Sequence, residues 1–384
     1  MEHLLRCHPV NGINFVRGEN CALFDDQNRR FIDLESGSWA AILGHSHPRL
    51  NRTIKAQLDQ VMHLGVRTPN QLAESAARAV LELVGLPDGR CTFLSSGSEA
   101  VEFGVQVARR VTGRPLLLTF TDSYLAAFGS AGRKDPAEWH LVDWHAVADV
   151  AACLRSIPFE RIGGFVVEPG GGAPGFVRFP PAALVEAIAR RVQDDGGVVV
   201  VNEITTGMGR TGKWFGYQHY DLRPDIVALG KGLGNGFPVS ATAIRRIFAE
   251  KLEARGFHHA QSHQNNPLGC AVALEVIAIL REEGLIERGR AVGASFLDGL
   301  RRLKAQNARI RDVRGRGMLL AVEFDPDSGL SGASVHAALW DRGFIVGGYP
   351  AGFPAGTGLR FDPPLTIEES DLTRLLDTLA SVLA

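Results

Sequence analysis

Residues 198–203 have the sequence Val-Val-Val-Val-Asn-Glu, in which four valines run directly into two polar residues. An apolar run without alternation is typical of a strand that is buried on both faces of a parallel sheet. Other short apolar runs in this part of the chain also end in polar residues or glycine: residues 91–94, 116–120, 165–167 and 225–229. Together these runs predict the strands of one sheet.

Helical patterns separate the predicted strands. Residues 99–111 and 181–193 place apolar side chains three or four positions apart, which is the period of a helix with one buried face. Strands that alternate with helices predict an α/β domain with a doubly wound, mostly parallel sheet, which we place at residues 55–270. In such a sheet ligands bind beyond the carboxyl ends of the strands, where the polar residues of this chain fall.

The two ends of the chain show a different pattern. Residues 18–34 predict a hairpin with its turn at residues 26–28. Towards the C-terminus, predicted helices are interspersed with predicted strands: helices at residues 267–283, 288–304 and 368–383, and strands at residues 318–324, 343–346 and 358–361. We therefore expect a second, smaller α+β domain that is built from both ends of the chain, residues 1–54 and 271–384.

Composition and charge exclude several classes of protein. The 384 residues include 41 basic and 42 acidic side chains, so the overall charge does not favour binding to nucleic acid or to a membrane surface. A hydrophobic share of 45% excludes disorder of the whole chain. No apolar run approaches the ~20 residues that span a bilayer, and the first residues lack the apolar core of a signal peptide. The five scattered cysteines indicate no disulfide framework, and we expect a cytoplasmic protein.

Two turns that contain glycine carry the first candidate functional groups. At residues 95–100, Ser-Ser-Gly-Ser-Glu-Ala, a strand runs into a helix with Ser96 and Glu99 as a capping box. This turn is either a plain cap or a site where N–H groups and the helix dipole bind a phosphate. At residues 230–236 Lys231 lies among glycines at the end of a buried strand. The lysine is either a desolvated nucleophile that forms imines or a solvated side chain on a flexible loop.

Polar side chains also follow two other predicted strands. Glu168, Asn202 and Glu203 are either structural caps or contacts to a ligand. Because side chains alternate along a strand, Asn202 and Glu203 point to opposite faces, and only one of them can meet a ligand on a given side. His45 and His47 lie two residues apart with no third ligand near them in the sequence, so we expect no metal site.

Seven segments of the chain together resemble the class III aminotransferases, the ornithine, acetylornithine and GABA aminotransferase group of fold-type I pyridoxal 5'-phosphate (PLP) enzymes. Two of them are Asn202-Glu-Ile-Thr-Thr-Gly-Met-Gly-Arg-Thr-Gly212 and Lys231-Gly-Leu-Gly-Asn-Gly-Phe-Pro238. The others are residues 37–48, 96–102, 167–169, 262–268 and 359–365. Each segment is weak evidence alone, but all occur in the family order between about residue 14 and residue 365. The resemblance implies the fold-type I architecture, PLP as cofactor, and transfer of an amino group between a small amine or amino acid and a keto acid.

The resemblance also implies roles for single residues around the cofactor. Lys231 would form the internal aldimine with PLP and shuttle the proton of the substrate. Gly97 and Ser98 would hold the phosphate at the helix N-terminus, and Tyr124 and Ile204 would cover the two faces of the ring. The remaining candidates for cofactor binding are Ser96, Glu168, Asn202, Thr205, Ser262 and Gln264.

Substrate binding and assembly follow from the same resemblance. Arg360 matches an arginine that binds a substrate carboxylate, a bidentate contact that lysine makes poorly. Trp39 would line the substrate pocket, although a plain core position is the alternative. Ser262, helped by Gln264, falls where the family contacts the phosphate bound by the neighbouring subunit, which implies a homodimer with shared active sites.

The chain departs from the family pattern at four places. Asn202 replaces an aspartate that pairs with the pyridine nitrogen, so we expect this nitrogen to be largely neutral. Thr205 replaces a glutamine that contacts the ring hydroxyl, and residues 125–128 lack a second carboxylate-binding arginine. Residues 168–173 lack a glutamate that pairs with the equivalent of Arg360 in the ornithine enzyme. Arg360 is therefore expected to stay open for a carboxylate, and a monocarboxylic amino acid or an amine is favoured over a dicarboxylate.

Three other functions compete with aminotransfer. Asn202 leaves open an amino-acid racemase or epimerase, a decarboxylase or a lyase on the same fold. A non-catalytic binding protein is disfavoured because Lys231 accompanies an intact phosphate site. A nicotinamide enzyme is also disfavoured, because no GxGxxG turn lies between a strand and a helix with an acid ~20 residues later.

Overall fold

An antiparallel meander opens the part of the chain that the structure, a computed structural model, describes: residues 3–5, 7, 12–171, 177–348 and 358–384. Its strands are β1 (Phe15–Glu19), β2 (Ala22–Asp25) and β3 (Arg30–Asp33). Ala22 pairs with Ile32, and the Asn28 N–H donates to the Asp25 carbonyl in the turn. The predicted hairpin and the position of its turn are therefore confirmed.

A seven-stranded sheet forms the centre of the protein. Its strands are β4 (Arg90–Leu94), β5 (Leu116–Phe120), β6 (Trp139–Val142), β7 (Ile162–Val167), β8 (Val198–Asn202), β9 (Ile226–Leu229) and β10 (Ser240–Ile244). They lie in the order β4-β10-β9-β8-β7-β5-β6, and β10 is antiparallel to both of its neighbours whereas the other pairs are parallel. This confirms the predicted α/β class with a mostly parallel sheet.

The valine run of β8 is buried from end to end, and its side chains alternate between two cores. Val199 and Val201 pack in the same core as Phe165, whereas Val198 and Val200 pack in the second core. Burial of each valine contributes about 1.5–3 kcal/mol, so the run stabilises both layers of the domain. The alternation also sends the two polar residues that follow the run to opposite sides of the sheet.

Helices alternate with the strands along much of the chain, as predicted. They are α1 (Ser36–Trp39, a single turn), α2 (Pro48–Leu58), α3 (Gln71–Leu83), α4 (Gly97–Thr112), α5 (Gly129–Arg133), α6 (Val150–Ser156), α7 (Ala182–Asp194), α8 (Arg246–Ala254), α9 (Pro267–Glu282), α10 (Leu285–Gln306), α11 (Gly332–Asp341) and α12 (Glu369–Leu383). The pattern at residues 99–111 lies within α4, and the pattern at residues 181–193 matches α7 except that residue 181 is the N-cap before the helix. Among the described helices, none has the length and apolar character needed to cross a bilayer.

The C-terminal part adds a second sheet and completes the first meander. Its strands are β11 (Ile310–Arg316), β12 (Leu319–Phe324), β13 (Phe344–Ile345), β14 (Gly347–Gly348) and β15 (Gly358–Phe361). Four of them form a sheet in the order β11-β12-β15-β14, while β13 pairs in parallel with β3. A strand from the C-terminal part thus extends the N-terminal meander. The division into domains at residues 55–270 stays a prediction.

Candidate active site

The carboxyl ends of β8 and β9 meet the N-terminus of α4 in very close packing. A Cβ atom added to Gly97 would lie 2.8 Å from Cγ2 of Ile204, and one added to Gly230 would lie 3.1 Å from Cδ1 of Ile204. Both glycines are therefore needed for the strands and the helix to approach each other. The packing brings three segments from the sequence analysis together around Lys231.

The N-terminus of α4 combines a complete cap with free donors. The Ser96 hydroxyl accepts from the Glu99 N–H at 3.3 Å, and the Glu99 carboxylate accepts from the Ser96 N–H at 2.7 Å. Ser96 is therefore occupied by the capping box. Within the described ranges, no hydrogen bond engages the N–H groups of Gly97 and Ser98. The Ser98 hydroxyl accepts from the Ala127 N–H at 2.9 Å, which leaves its own hydrogen for an anion.

Lys231 is half-buried and lies at the start of a short turn that follows β9. Its Nζ lies 4.1 Å from the ring centroid of Trp39. Burial lowers the pKa of the Lys231 amine to about 8, with an opposing contribution from the Glu168 carboxylate. The unprotonated fraction of the amine near neutral pH is therefore larger than for an ordinary lysine, which favours a nucleophile that forms imines.

Trp39 comes from α1, which is a left-handed turn and not an ordinary helix. The φ angles are +48° at Ser36, +53° at Gly37, +63° at Ser38 and +68° at Trp39. For residues other than glycine this conformation costs roughly 1–2 kcal/mol each, so the turn is strained. The indole Nε1 of Trp39 is buried and has no hydrogen-bond partner among the described residues. This donor belongs to the ring that contacts the amine of Lys231.

Carboxylates hold this strained turn in place. The Asp33 carboxylate accepts from the Glu35 N–H at 2.8 Å and from the Gly37 N–H at 3.0 Å, and it also bonds to the His45 ring at 2.8 Å. The Ser36 hydroxyl donates to the Asp362 carbonyl at 2.5 Å. His45 is therefore part of the support of the turn, and the described residues contain no metal-binding cluster around it.

The expectation that Arg360 stays open for a carboxylate is wrong. Its Nε donates to the Asp362 carboxylate at 2.6 Å, and its Nη2 donates to the Glu35 carboxylate at 2.5 Å. The guanidinium carbon also lies 3.7 Å from the ring centroid of Trp39. The missing glutamate of residues 168–173 is thus replaced by acids from elsewhere in the sequence. Residues 172 and 173 of that segment lie outside the described residues.

Glu168 lies in a buried network at the end of β7. Its carboxylate accepts from the Tyr124 N–H at 3.1 Å, lies 3.5 Å from the Thr205 hydroxyl and 3.6 Å from the Arg178 guanidinium. Burial raises the pKa of Glu168 to about 7, and Arg178 opposes this shift. Sequence reasoning missed Arg178, which also pairs with Asp122 at 2.9 Å. No pattern in the sequence around Arg178 indicated this role.

The side-chain amide of Asn202 has its orientation fixed by two bonds. Its oxygen accepts from the Ile204 N–H at 3.1 Å, and its nitrogen donates to the Tyr124 carbonyl at 3.2 Å. Glu203 lies on the other face, where it accepts from the N–H groups of Gly216 at 2.8 Å and Tyr217 at 2.7 Å. The predicted alternation of Asn202 and Glu203 is confirmed, and Glu203 has a structural role in the described chain.

The turn that contains Ser262 and Gln264 lies at the surface before α9. Ser262 is exposed, and the carbonyl oxygen of the Gln264 side chain is buried without a partner among the described residues. The neighbouring Gln261 donates to the Glu99 carboxylate, which ties the turn to the N-terminus of α4. The Tyr124 side chain, predicted to cover a bound ring, is 44% exposed.

The arrangement suits a ligand that carries both a phosphate and an aldehyde. Free N–H groups at the start of α4 can bind the phosphate, and the buried amine of Lys231 can attack the aldehyde. Ile204 and the two glycines that contact it form a close-fitting apolar wall between these two groups. The residues present therefore fit PLP.

Comparison with known proteins gives consistent matches over nearly the whole chain. The profile of the family described as "Aminotransferase class-III" matches residues 6–128 and 142–383. An acetylornithine aminotransferase of Methanopyrus kandleri is 31% identical, over 97% of this chain and 94% of that protein. A leucine/methionine racemase of Thermococcus litoralis is 28% identical, over 96% of this chain and 90% of that protein. An (S)-enantioselective omega-transaminase of Thermomicrobium roseum matches in structure with a TM-score of 0.87 and 27% identity, covering 99% of this chain and 96% of that one.

Proposed function

Because the chain belongs to the class III aminotransferase family, we propose that Lys231 is the residue that carries its PLP cofactor. The protein is a PLP-dependent aminotransferase, which moves an amino group between an amino donor and a keto acid. One observation carries the assignment of Lys231: its buried amine, with a pKa lowered to about 8 by burial, lies where β9 meets the free N–H groups of α4. When bound, PLP supplies the electron sink for the reaction.

The experiment that tests this assignment is reduction of the holoenzyme with borohydride, followed by peptide mapping. We expect the reduced cofactor on Lys231, and we expect Lys231→Ala to lose both the label and the turnover while it keeps its fold. Lys213→Ala is the matched control, because the amine of Lys213 is exposed and bonds to the Gln218 carbonyl. A label on any other lysine would contradict the proposal.

We propose the following arrangement around the cofactor. The N–H groups of Gly97 and Ser98, with the Ser98 hydroxyl, bind the phosphate, and Ser96 supports them as the cap of α4. Ile204 and Tyr124 cover the two faces of the ring. Glu168, Thr205 and Asn202 lie around the ring edge, where Glu168 joins the other two through the Tyr124 backbone and the Thr205 hydroxyl.

We assign proton transfer to Nζ of Lys231. An amine with a pKa of about 8 can accept the proton from the substrate carbon and release it again near neutral pH. The Glu168 carboxylate opposes a further fall of this pKa and thereby keeps Lys231 from becoming too weak a base. The cation of Arg360 acts in the other direction, because a second positive charge disfavours the protonated amine.

Aminotransfer is preferred over racemisation, decarboxylation or a lyase reaction on the same fold. The T. litoralis relative is named as a racemase, but racemisation is not favoured here. The family and the more similar M. kandleri relative are aminotransferases. We therefore expect Asn202 to affect the binding of the cofactor and the rate of aminotransfer. Full conversion of the holoenzyme to its pyridoxamine form by an amino donor, with release of the keto product, is the expected behaviour.

We also infer that two copies of the chain form a homodimer with shared active sites. Leu58, Val61, Met62 and Val66 expose large apolar side chains in one short segment. The ring of His63 lies 5.0 Å from that of His263, which follows Ser262. The apolar segment and the turn with Ser262 are therefore neighbours on the surface, and an apolar patch of this kind is typical of an interface between proteins.

A further inference from the structure

A single buried guanidinium, that of Arg178, joins the segments that follow β5 and β7. Its Nε and Nη2 donate to the two oxygens of the Asp122 carboxylate, at 3.0 Å and 2.9 Å. Nη1 donates to the Glu168 carbonyl at 2.9 Å, and Nη2 also donates to the Ser123 hydroxyl at 3.1 Å. The side chain of Arg178 is only 5% exposed. Because a bidentate contact fixes the plane of a guanidinium, Arg178 is held in one orientation.

This orientation places the cation next to the Glu168 carboxylate. Nη2 of Arg178 lies 3.6 Å from Oε2 of Glu168, and the same oxygen accepts from the Tyr124 N–H at 3.1 Å. The Glu168 side chain is 1% exposed, so its charge must be stabilised by the protein. Burial raises the pKa of Glu168 to about 7, and Arg178 contributes the largest opposing effect. Without this cation the carboxyl group would keep its proton to higher pH.

Asp122 lies on the other side of the guanidinium. Its carboxylate also accepts from Nε1 of Trp144 at 2.9 Å and lies 3.6 Å from Nε2 of His145. As a second acid, Asp122 adds to the effect of burial on the pKa of Glu168. Because the Asp122 side chain is 25% exposed, water also solvates its charge, whereas the charge of Glu168 depends on its protein contacts.

Two lysines are also within electrostatic reach of Glu168. The Lys134 amine is held on the backbone after β5, where it donates to the Ser123 carbonyl at 2.6 Å. Lys231 and Glu168 act on each other: burial lowers the pKa of the amine, the carboxylate opposes this, and the amine in turn lowers the pKa of the carboxyl group. The charge of Glu168 therefore affects the proposed nucleophile.

We propose that Arg178 is a positioning residue of the active site: it holds the Glu168 carboxylate in its charged form, within electrostatic reach of the Lys231 amine. The inference rests on the proposed role of Lys231 and adds a residue that acts on this lysine through Glu168. Loss of Arg178 then has a characteristic sign. A neutral Glu168 stabilises a protonated nitrogen at Lys231 less, so the pKa of that nitrogen falls, whereas removal of a cation that acted on it directly would raise the pKa.

The first test measures the ionisation of Glu168 in the holoenzyme by infrared spectroscopy. The band of its protonated carboxyl group is the one that Glu168→Gln removes, and its loss is followed as the pH rises. We expect the midpoint in Arg178→Met, which keeps a long unbranched side chain without the charge, to lie about 1 pH unit above that of the wild type. Asp122→Asn removes the acid that shares the guanidinium, so its midpoint should lie below that of the wild type. If Arg178→Met does not fold, a midpoint that fails to fall in Asp122→Asn overturns the proposal.

The second test distinguishes a positioning role from a merely structural one. The absorbance of the holoenzyme, measured against pH, reports protonation of the imine nitrogen, which is Nζ of Lys231 if that residue carries the cofactor. We expect a lower midpoint in Arg178→Met, and a midpoint closer to the wild type in Arg178→Lys, which keeps the charge. In a Glu168→Gln background, Arg178→Met should cause no further fall. A higher midpoint in Arg178→Met would mean that Arg178 acts directly as a cation, and an unchanged midpoint would mean a structural role; either result overturns the proposal.

Arg245→Met is the matched control. Nε of Arg245 lies 3.2 Å from the buried carboxylate of Asp225, and Nη2 donates to the Pro224 carbonyl at 2.9 Å. Asp225 directly precedes β9 whereas Lys231 follows it, so this pair lies at the far end of that strand. Loss of the Arg245 cation should leave both midpoints unchanged.

The two proposals fail separately. If borohydride labels another lysine, the role of Lys231 is wrong, whereas the infrared midpoint of Glu168 still tests Arg178. If Lys231 carries the cofactor and the infrared midpoint of Arg178→Met equals that of the wild type, only the role of Arg178 is wrong.

Discussion

Asn202 presents a hydrogen-bond donor where the family has a charged acceptor. Its amide oxygen is occupied by the Ile204 N–H, so its nitrogen is the group that remains for a ligand, with one hydrogen already bonded to the Tyr124 carbonyl. A donor at this position stabilises a pyridine nitrogen that keeps its lone pair. An aspartate would instead stabilise the protonated nitrogen through its charge. The two residues are nearly equal in size, so the position can be exchanged with little change in packing.

We predict that Asn202→Asp protonates the cofactor nitrogen. The holoenzyme reconstituted with ¹⁵N-labelled PLP should show the NMR shift of a neutral pyridine nitrogen in the wild type and that of a protonated nitrogen in the variant. The half-reaction with a poor amino donor should become faster in the variant. Identical ¹⁵N shifts in the two proteins would mean that residue 202 does not face the ring nitrogen.

We predict a pH dependence of cofactor binding that reflects Lys231. Burial depresses the pKa of its amine to about 8, below the ordinary value of 10.5, and only the unprotonated amine attacks an aldehyde. The rate of PLP incorporation into the apoenzyme, followed by absorbance, should therefore rise with pH and level off above about pH 8. Glu168→Gln removes a carboxylate that raises this pKa, so its profile should shift to lower pH. A rate that still rises towards pH 10 would show that Lys231 is solvated.

At the scale of single elements, α1 stores strain beside Lys231. Its residues have positive φ, but only Gly37 adopts such angles without a steric penalty. A Cβ atom at Gly37 would meet no other atom within 4 Å, so a substitution there tests the backbone conformation alone. Ser38 is exposed, so its replacement by glycine tests the same backbone conformation by removing a Cβ atom instead of adding one.

We predict opposite effects of two substitutions in α1. Gly37→Ala should lower the free energy of unfolding by about 1 kcal/mol, and Ser38→Gly should raise it by a similar amount, because left-handed geometry penalises a Cβ atom. Urea denaturation of both variants and the wild type measures the two changes. If Ser38→Gly proves destabilising, the turn is not left-handed in solution.

The success of sequence prediction differed between elements for physical reasons. Strands such as β8 were predictable because burial on both faces requires apolar side chains at every position. The sequence pattern did not predict β10, because this buried strand contains polar residues whose hydroxyls have hydrogen-bond partners. Ser240 donates to the Ser96 carbonyl at 2.7 Å, and Thr242 donates to the Ala100 carbonyl at 2.9 Å. Because these polar side chains interrupt the strand, β10 has no continuous apolar run that would predict it.

The candidate site was predictable where its residues lie in contiguous motifs, and not where distant segments meet. Lys231 and the start of α4 each have a local signature of glycine and capping residues. Glu35 and Arg360 are 325 residues apart in the sequence. The residues around neither position indicate a contact with the other. The error about Arg360 arose for this reason.

At the scale of the whole molecule, we predict that the assembly depends on the apolar segment at residues 58–66. Met62, at 54% exposure, lies in that segment, so Met62→Glu should bury a charge if the segment lies in an interface. Sedimentation should show a dimer for the wild type and dissociation in the variant. A variant with an exposed charge elsewhere, Ile247→Glu, is the control, because Ile247 lies on α8.

Cofactor affinity gives a second measure of the same assembly. If Ser262 contacts the phosphate in the neighbouring subunit, Ser262→Ala should weaken PLP binding without dissociating the dimer, and Met62→Glu should weaken both. A monomer with full activity would contradict the shared active site.

The position of β15 has a consequence for how the protein is made. This strand lies between β12 and β14 and carries Arg360, so it is an interior strand of its sheet and not an edge. A nascent chain leaves the ribosome from its N-terminus, and the proposed cofactor-binding residues therefore emerge before Arg360 does. Until β15 has emerged, its place between β12 and β14 stays empty. The ion pair between Glu35 and Arg360 is thus among the last contacts of this region that the growing polypeptide can form.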